Sequence, residues 1–125
     1  MQKLTFEAII LIHDNVIKPN ELQGQAPHKS IEAITGRVIN RINYALINDI
    51  FDLSACYASY IAQGHVFNDA NKRTVFASMD TVLAINGILL EYDTEEAGNM
   101  IIKIVLNQID EKYIAEWLRK LNNQI

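Results

Sequence analysis

Apolar residues recur at three- and four-residue spacing along almost the whole chain, whereas the strict alternation typical of half-buried strands is nearly absent. Polar and turn-forming residues interrupt this pattern and divide the chain into helical segments. The pattern therefore predicts an all-α fold, a compact bundle of about six helices. Neither a composition shift nor an internal repeat marks a boundary, so residues 1–125 are interpreted as a single domain.

Short oxygen-bearing side chains mark where each helix is expected to begin, because they can accept hydrogen bonds from the free N–H groups of a first turn. The predicted helices, named by residue numbers, are 5–17, 30 to about 48, 52–64, 68 or 69 to 86–87, one from 94 and one from 110. Thr5, Ser30, Asp52, Thr94 and Asp110 are the expected caps. Residues 88–92 are expected to be briefly extended, and the fourth helix is predicted to be central because its apolar face is broad.

Composition and charge limit which class of protein this chain can be and which ligands it can bind. The chain is 50% hydrophobic and 21% charged, and no apolar run approaches the roughly 18 residues that span a bilayer. The N-terminal residues lack the apolar core of a signal peptide, so a cytoplasmic protein without membrane contact is expected. A net charge of −4 supplies no basic field for direct nucleic-acid binding. The lone Cys56 lies in a helical pattern and is interpreted as a buried residue.

One segment is not explained by packing. Six polar side chains crowd the start of the fourth helix, between Gly64 and Val75. Gly64 is expected to end the third helix, because glycine suits the left-handed position just past a helix terminus. Free N–H groups and the helix dipole make such a start a natural phosphate site. Cations in a first helical turn interact unfavourably with the positive end of the dipole, and an anion bound between them would reverse that penalty. The six residues are His65, Asn68, Asp69, Asn71, Lys72 and Arg73.

Each of these residues has a structural alternative. Asp69 or Asn68 alone could be an N-cap, and His65 alone could be a solvated loop residue. A cap needs only one such side chain, however, and does not account for the neighbouring cations and imidazole. His13 lies on the apolar stripe of the first helix and is interpreted as a hydrogen-bonded, partly buried histidine. Arg37, one helical turn from Arg41, could contact a ligand or solvent, and both alternatives stay open.

The segment 65–73, His-Val-Phe-Asn-Asp-Ala-Asn-Lys-Arg, resembles the active-site loop of the Fic/Doc superfamily in its Doc variant, and we call it the active loop. Residues 32–38, Glu-Ala-Ile-Thr-Gly-Arg-Val, also look like Doc-type proteins. The similarity extends over most of the chain. It implies a Fic-type helical bundle whose central helix follows the active loop.

Four positions depart from the commoner Fic pattern, which has proline, two glycines and a second arginine where this chain has Val66, Ala70, Lys72 and Phe76. Glycine lets a backbone approach a phosphate closely, so the nucleotide is expected to sit differently here. In Doc-like proteins this change accompanies transfer of the γ-phosphate of ATP in place of AMP. An AMP-transferring Fic enzyme and a catalytically degenerate binding module remain the alternatives.

The resemblance also implies a biological role. It suggests the toxin of a toxin–antitoxin system, a kinase that phosphorylates a threonine of elongation factor Tu and so inhibits translation. The partner would be a Phd-like antitoxin, and the cofactors ATP and Mg²⁺. Many Fic enzymes carry an inhibitory Ser/Thr-x-x-x-Glu-Gly/Asn signature, which residues 94–98 lack. Inhibition of the enzyme is therefore expected to come from the antitoxin, whose tail would fold as an amphipathic helix and bind in an apolar groove.

Roles within the active loop follow from side-chain chemistry. His65 is expected to act as general base on the threonine hydroxyl, because an imidazole can accept a proton near neutral pH. Asp69 is expected to hold Mg²⁺ against the phosphates, and Arg73 to grip the transferring group with its planar fork. The predicted nucleotide and phosphate ligands are Asn68, Asn71, Lys72 and Arg73, with Asn68 also orienting the loop.

Overall fold

The computed structural model describes residues 1–124, which form six α-helices and no strand. The predicted all-α class and the number of helices are confirmed. Among residues 1–124, no helix has both the length and the apolar character that crossing a membrane requires. The helices are α1 (Phe6–Val16), α2 (Ile31–Asn43), α3 (Ile50–Gly64), α4 (Asn71–Ile85), α5 (Thr94–Val105) and α6 (Glu111–Asn123).

Side-chain caps begin five of the helices, and three of the five predicted caps are confirmed: Thr5, Ser30 and Asp110. The other two predictions were wrong. Asp49, not Asp52, caps α3, and the Asp52 carboxylate instead accepts from the N–H of Asn48 at 3.2 Å. Asp93, not Thr94, caps α5. In both cases an acidic residue slightly earlier in the chain supplies the first acceptor, which moves the start of the helix.

Helix α2 ends at Asn43, five residues before the predicted end near residue 48. Ala45 adopts the left-handed conformation with φ 56°. Its N–H bonds the carbonyl of Ile42 at 3.0 Å, and the N–H of Leu46 bonds the carbonyl of Arg41 at 2.9 Å. These two bonds satisfy the last carbonyls of the helix in the manner of a Schellman motif. Alanine gives no sequence signal for such a turn, because glycine normally occupies it.

Gly64 is the last residue of α3, and the left-handed residue beyond the helix is His65, with φ 45°. The expectation that Gly64 would adopt that conformation was therefore wrong. A Cβ atom at Gly64 would lie 2.6 Å from Cδ1 of Ile34, so glycine here allows α3 to pack closely on α2. Residues 88–92, expected to be extended, form no strand.

Helices α3 and α4 form the centre of the bundle. Helix α4 packs on α1, α3 and α5, as expected for the helix that follows the active loop, and α3 contacts α2, α4, α5 and α6. Cys56 on α3 is fully buried, and this burial raises the pKa of its thiol to about 12, which confirms an unreactive core residue. The C-terminus of α3 and the N-terminus of α4 meet at the active loop.

Candidate active site

The active loop is anchored by its apolar residues. Val66 and Phe67 are 2% and 3% exposed, whereas the neighbouring His65 is exposed. Two of its residues, His65 and Ala70, adopt left-handed backbone conformations, with φ of 45° and 63°. Burial of Phe67 thus holds the loop on the core, and the sharp turns at His65 and Ala70 bend the chain on either side of it.

Residues 18–29, which we call the flap segment, lie beside the active loop. The N–H of Ala26 bonds the carbonyl of Val66 at 2.6 Å, and the N–H of Asn68 bonds the carbonyl of Gly24 at 3.1 Å. These bonds pair the two chain segments in antiparallel fashion over a single bridge. The flap segment therefore lies along one edge of the active loop.

All six predicted site residues come together in the structure. They line one cleft with a volume of about 560 Å³, which lies at the start of α4 and is completed by Ala70 and Val105. The residues from the sequence prediction that line it are His65, Asn68, Asp69, Asn71, Lys72 and Arg73.

The N-terminus of α4 differs from the other helix starts. Its N-cap is Ala70, and no side chain accepts a hydrogen bond from its first turn, whereas a side chain caps each of the other five helices. The structure therefore contradicts the alternative in which Asp69 or Asn68 serves only as the N-cap of α4. First-turn N–H groups without a side-chain acceptor, at the positive end of a helix dipole, suit an anionic ligand.

His65 presents an accessible imidazole. The residue is exposed, and among residues 1–124 no hydrogen bond engages either ring nitrogen. Both nitrogens are therefore available to a substrate, as a general base requires.

Asp69 is bound to its surroundings through both its side chain and its backbone. Oδ1 accepts from the N–H of Ala70 at 2.9 Å, Oδ2 accepts from the N–H of Leu22 at 3.4 Å, and its carbonyl accepts from Nε2 of His13 at 2.9 Å. A carboxylate accepting single bonds retains lone pairs for a cation. Residues 1–124 contain no cluster of three or more His, Cys, Asp or Glu that could hold a metal. The single carboxylate of Asp69 fits Mg²⁺, which would take its remaining ligands from phosphates and water.

The two asparagines of the active loop bond to backbone groups. The Asn71 amide donates to the carbonyl of Phe67 at 2.8 Å and accepts from its N–H at 3.4 Å. The Asn68 amide donates to the carbonyls of Gln23 at 3.0 Å and Gln25 at 3.3 Å. Asn71 therefore clamps the loop on itself, and Asn68 ties it to the flap segment. A phosphate-binding role for either side chain stays a prediction.

The two cations of the first turn are placed differently. Lys72 is exposed, and no carboxylate of residues 1–124 forms an ion pair with it. Arg73 donates to the carbonyl of Val16 at 2.8 Å and forms an ion pair with Glu21 of the flap segment. Hydrogen bonds from Arg73 and from the backbone N–H of Lys18 lower the pKa of Glu21 to about 2. Glu21 is therefore ionised at neutral pH.

Two residues that contact the active loop from outside it were missed by sequence reasoning in this role. His13 was correctly predicted to be hydrogen-bonded, but it is fully buried where partial burial was expected, and its partner in the active loop was not foreseen. Glu21 was passed over as part of a polar connection. Their loop partners lie 56 and 52 residues away in sequence, and no local pattern signals such pairs.

Comparison with known proteins agrees with this geometry. Residues 3–83 match the model of the Fic/DOC family. The chain is also 36% identical over 122 residues to a protein from Escherichia phage P1 named protein kinase doc, and the alignment covers 97% of this chain and 96% of that protein. The family match includes the whole active loop and its flap segment. The resemblance found in the loop sequence is thereby confirmed, and the chain belongs to the Fic/Doc family.

Proposed function

We propose that this chain is a Doc-type protein kinase that transfers the γ-phosphate of ATP to a threonine hydroxyl of a target protein. The observation that best supports this proposal is the uncapped start of α4, where Lys72 and Arg73 lie in one cleft with the accessible His65. A triphosphate suits a helix start with added cations, and an imidazole beside it can serve a hydroxyl nucleophile. The phage P1 relative, similar over nearly its whole length, is named a protein kinase.

The reaction assigns a proton transfer to His65. The threonine oxygen attacks the γ-phosphorus, the bond from that phosphorus to the β,γ-bridging oxygen breaks, and ADP leaves with that electron pair. The hydroxyl proton passes to the imidazole. A hydroxyl is a weak nucleophile, so removal of its proton in the transition state is the step for which the enzyme needs a base.

Charge stabilisation is assigned to the first turn of α4. Lys72 supplies a point charge and Arg73 a planar fork for phosphate oxygens, while Asp69 would hold Mg²⁺. Magnesium would neutralise charge that develops during transfer, and positioning plus such neutralisation is most of what phosphoryl transfer requires. The methyl of Ala70 and the arm of Lys72, where AMP-transferring relatives have glycine, favour phosphate over AMP transfer.

The target and the partner are the finer part of the proposal. We assign the target as elongation factor Tu and the role as the toxin of a toxin–antitoxin pair, restrained by a Phd-like antitoxin. An apolar groove of about 580 Å³ adjoins the active-site cleft and shares Lys72 and Arg73 with it. An amphipathic antitoxin helix in this groove would lie against the phosphate-binding cations. Its apolar lining includes Val16, Phe76, Ala77, Tyr92, Ala97 and Ile101.

Mass spectrometry tests the reaction directly. Elongation factor Tu incubated with the protein and Mg²⁺-ATP is expected to gain one phosphate on a threonine, and His65→Ala is expected to slow this gain strongly. Addition of AMP would instead identify an AMP-transferring Fic enzyme. If folded protein that binds ATP modifies neither this factor nor any protein of a cell lysate, the binding-module alternative is favoured.

Growth assays test the toxin role separately. Expression without the antitoxin is expected to arrest growth, and co-expression of the antitoxin to restore it. Bound antitoxin should raise the melting temperature by mass action. Normal growth of cells that accumulate active kinase would leave the enzyme proposal standing and refute the toxin role.

A further inference from the structure

We propose that His13, which lies on α1 outside the active loop, is a positioning residue that fixes the Asp69–Ala70 peptide unit. The inference rests on the proposed function in one respect, since the geometry of this peptide affects turnover only if Asp69 takes part in it. His13 is 1% exposed, so it cannot itself reach a protein substrate. Its effect must pass through the residues that it contacts.

His13 contacts the active loop in two ways. Its Nε2 lies 2.9 Å from the carbonyl oxygen of Asp69, and because a carbonyl oxygen only accepts, Nε2 carries the proton. Its ring stacks on Phe67 with the ring centroids 3.8 Å apart and an angle of 6° between the ring planes. One imidazole thus restrains both the apolar anchor of the loop and the backbone of the residue assigned to Mg²⁺.

The hydrogen bond from His13 completes the restraint of a single peptide unit. The N–H of Ala70 donates to Oδ1 of Asp69 at 2.9 Å, while the carbonyl of the same peptide accepts from His13. Ala70 follows with φ 63°, a conformation that alanine rarely adopts and that surrounding contacts must maintain. Loss of the imidazole donor would allow this peptide to rotate. Rotation would move the Asp69 carboxylate, because its Oδ1 is bonded to that peptide.

A buried histidine that merely satisfies its own polar atoms could use any nearby acceptor. Here the acceptor is the backbone of the active loop. Nδ1 lies 3.2 Å from the carboxylate of Asp14, whose side chain is 61% exposed. Because Nε2 carries a proton, Nδ1 can donate to this carboxylate only when the imidazole holds both protons, whereas the bond to the Asp69 carbonyl forms in either state.

Two substitutions test the hydrogen-bond donor of His13 and its stacked ring separately. His13→Phe keeps an aromatic ring that can stack on Phe67 but removes the Nε2 donor. His13→Gln places an amide N–H near the position of Nε2 and removes the stack. We expect His13→Phe to lower kcat for target phosphorylation roughly ten- to a hundredfold, the range for small misplacement of a catalytic group, with a smaller change in KM for ATP. We expect His13→Gln to recover at least half of the lost rate on a logarithmic scale.

Leu118→Val is the matched control for loss of stability alone. Leu118 is fully buried on α6, whose backbone lies close to that of α3 and not to that of α1 or α4. Temperatures are chosen so that both variants are equally far below their melting points. If His13→Phe then loses no more activity than Leu118→Val, or if His13→Gln shows no recovery, His13 is a core residue only and the proposal is wrong.

Amide hydrogen exchange gives a readout that does not depend on catalysis. In free protein, exchange at residues 69–71 is expected to quicken in His13→Phe, to be nearly normal in His13→Gln, and to be unchanged in Leu118→Val. If the wild-type protein transfers no phosphate but the three variants still show this exchange pattern, the proposed function is refuted and the positioning role of His13 stands. Equal exchange in wild type and His13→Phe would overturn the positioning role itself.

Discussion

Arg73, in the first turn of α4, is paired with Glu21 of the flap segment, although 52 residues separate them in sequence. The guanidinium also donates to the carbonyl of Val16 at 2.8 Å, so it is held from two sides. The cation assigned to the transferring phosphate therefore already has an anionic partner within the chain. A nucleotide must share Arg73 with Glu21 or displace it.

Glu21→Gln is expected to strengthen ATP binding, because it removes the competing charge while the Val16 carbonyl still positions Arg73. Ion pairs between partly exposed side chains are weak, so the expected change is a Kd lowered roughly 1.5- to fivefold. Titration calorimetry measures this change. Glu7→Gln, at an exposed position of α1, controls for the change in net charge. Equal or weaker binding by Glu21→Gln would mean that Glu21 helps to position Arg73 and does not compete with the nucleotide.

The same ion pair predicts a pH dependence of folding stability. The folded-state pKa of Glu21, about 2, lies below the ordinary value of 4.5. A lowered carboxyl pKa stabilises the folded state fully above the ordinary pKa, and the contribution disappears as pH falls toward the folded pKa. Denaturant unfolding of wild type and Glu21→Gln should therefore differ most above pH 5 and converge between pH 4.5 and about 2. A difference that is constant across this range would contradict the assigned ion pair.

The fold could be predicted from the sequence because helix periodicity and caps are local signals. Thr5, Ser30 and Asp110 precede apolar stripes and act as the sequence predicts. Where two candidates lie within a few residues, as with Asp49 and Asp52, local pattern does not decide which one accepts the first N–H. The end of α2 was missed because a left-handed alanine replaces the usual glycine signal.

The membership of the site could also be predicted, since its six residues are nearly contiguous. Their contacts could not. Asn71 was assigned to phosphate, yet its amide bonds both backbone groups of Phe67. Glu21 was not assigned at all, because a single acidic residue in a polar connection has no distinctive pattern. Tertiary packing brings α1 and the flap segment to the active loop, and spacing along the chain does not report that packing.

His65→Ala is expected to reduce phosphorylation of the target by about 10²–10⁴-fold, the usual contribution of general acid–base catalysis. Folding should be nearly unaffected, because the imidazole is exposed and bonds to no group of residues 1–124. Rates at saturating ATP and circular dichroism measure the two effects. His28→Ala, at an exposed histidine of the flap segment, is the control. Wild-type rates in folded His65→Ala would require a different base.

Asp69→Asn is expected to weaken Mg²⁺-dependent ATP binding, and excess Mg²⁺ is expected to restore part of it. The substitution keeps the side-chain shape and an oxygen that can accept from the N–H of Ala70, so the loop should remain folded. Calorimetric titrations with and without Mg²⁺ measure the effect, with Glu32→Gln on the exposed face of α2 as the charge control. If the Mg²⁺ dependence equals that of wild type, Asp69 only shapes the loop.

The replacement of both Ala70 and Lys72 by glycine tests which positions select phosphate over AMP. Ala70 already has φ 63°, a conformation that glycine adopts without strain, so Ala70→Gly alone should fold and serves as the first control. Glycine in a helix costs about 1 kcal/mol relative to alanine, and Lys72→Ala is therefore the second control, which removes the charge and keeps helix propensity.

In the double variant, loss of the methyl and of the cation opens the backbone to a phosphate and removes a charge from the transferring group. Phosphoryl transfer should fall and AMP transfer should become detectable. ATP labelled at the α- or the γ-phosphate, followed onto the target protein, distinguishes the two products. Lys72→Ala should lose phosphoryl transfer without gaining AMP transfer, because the methyl of Ala70 still blocks close approach. If the double variant transfers the γ-phosphate at the wild-type rate, the choice of phosphate over AMP must depend on another departure from the Fic pattern. Phe76, which lines the adjoining groove, is then the next position to replace.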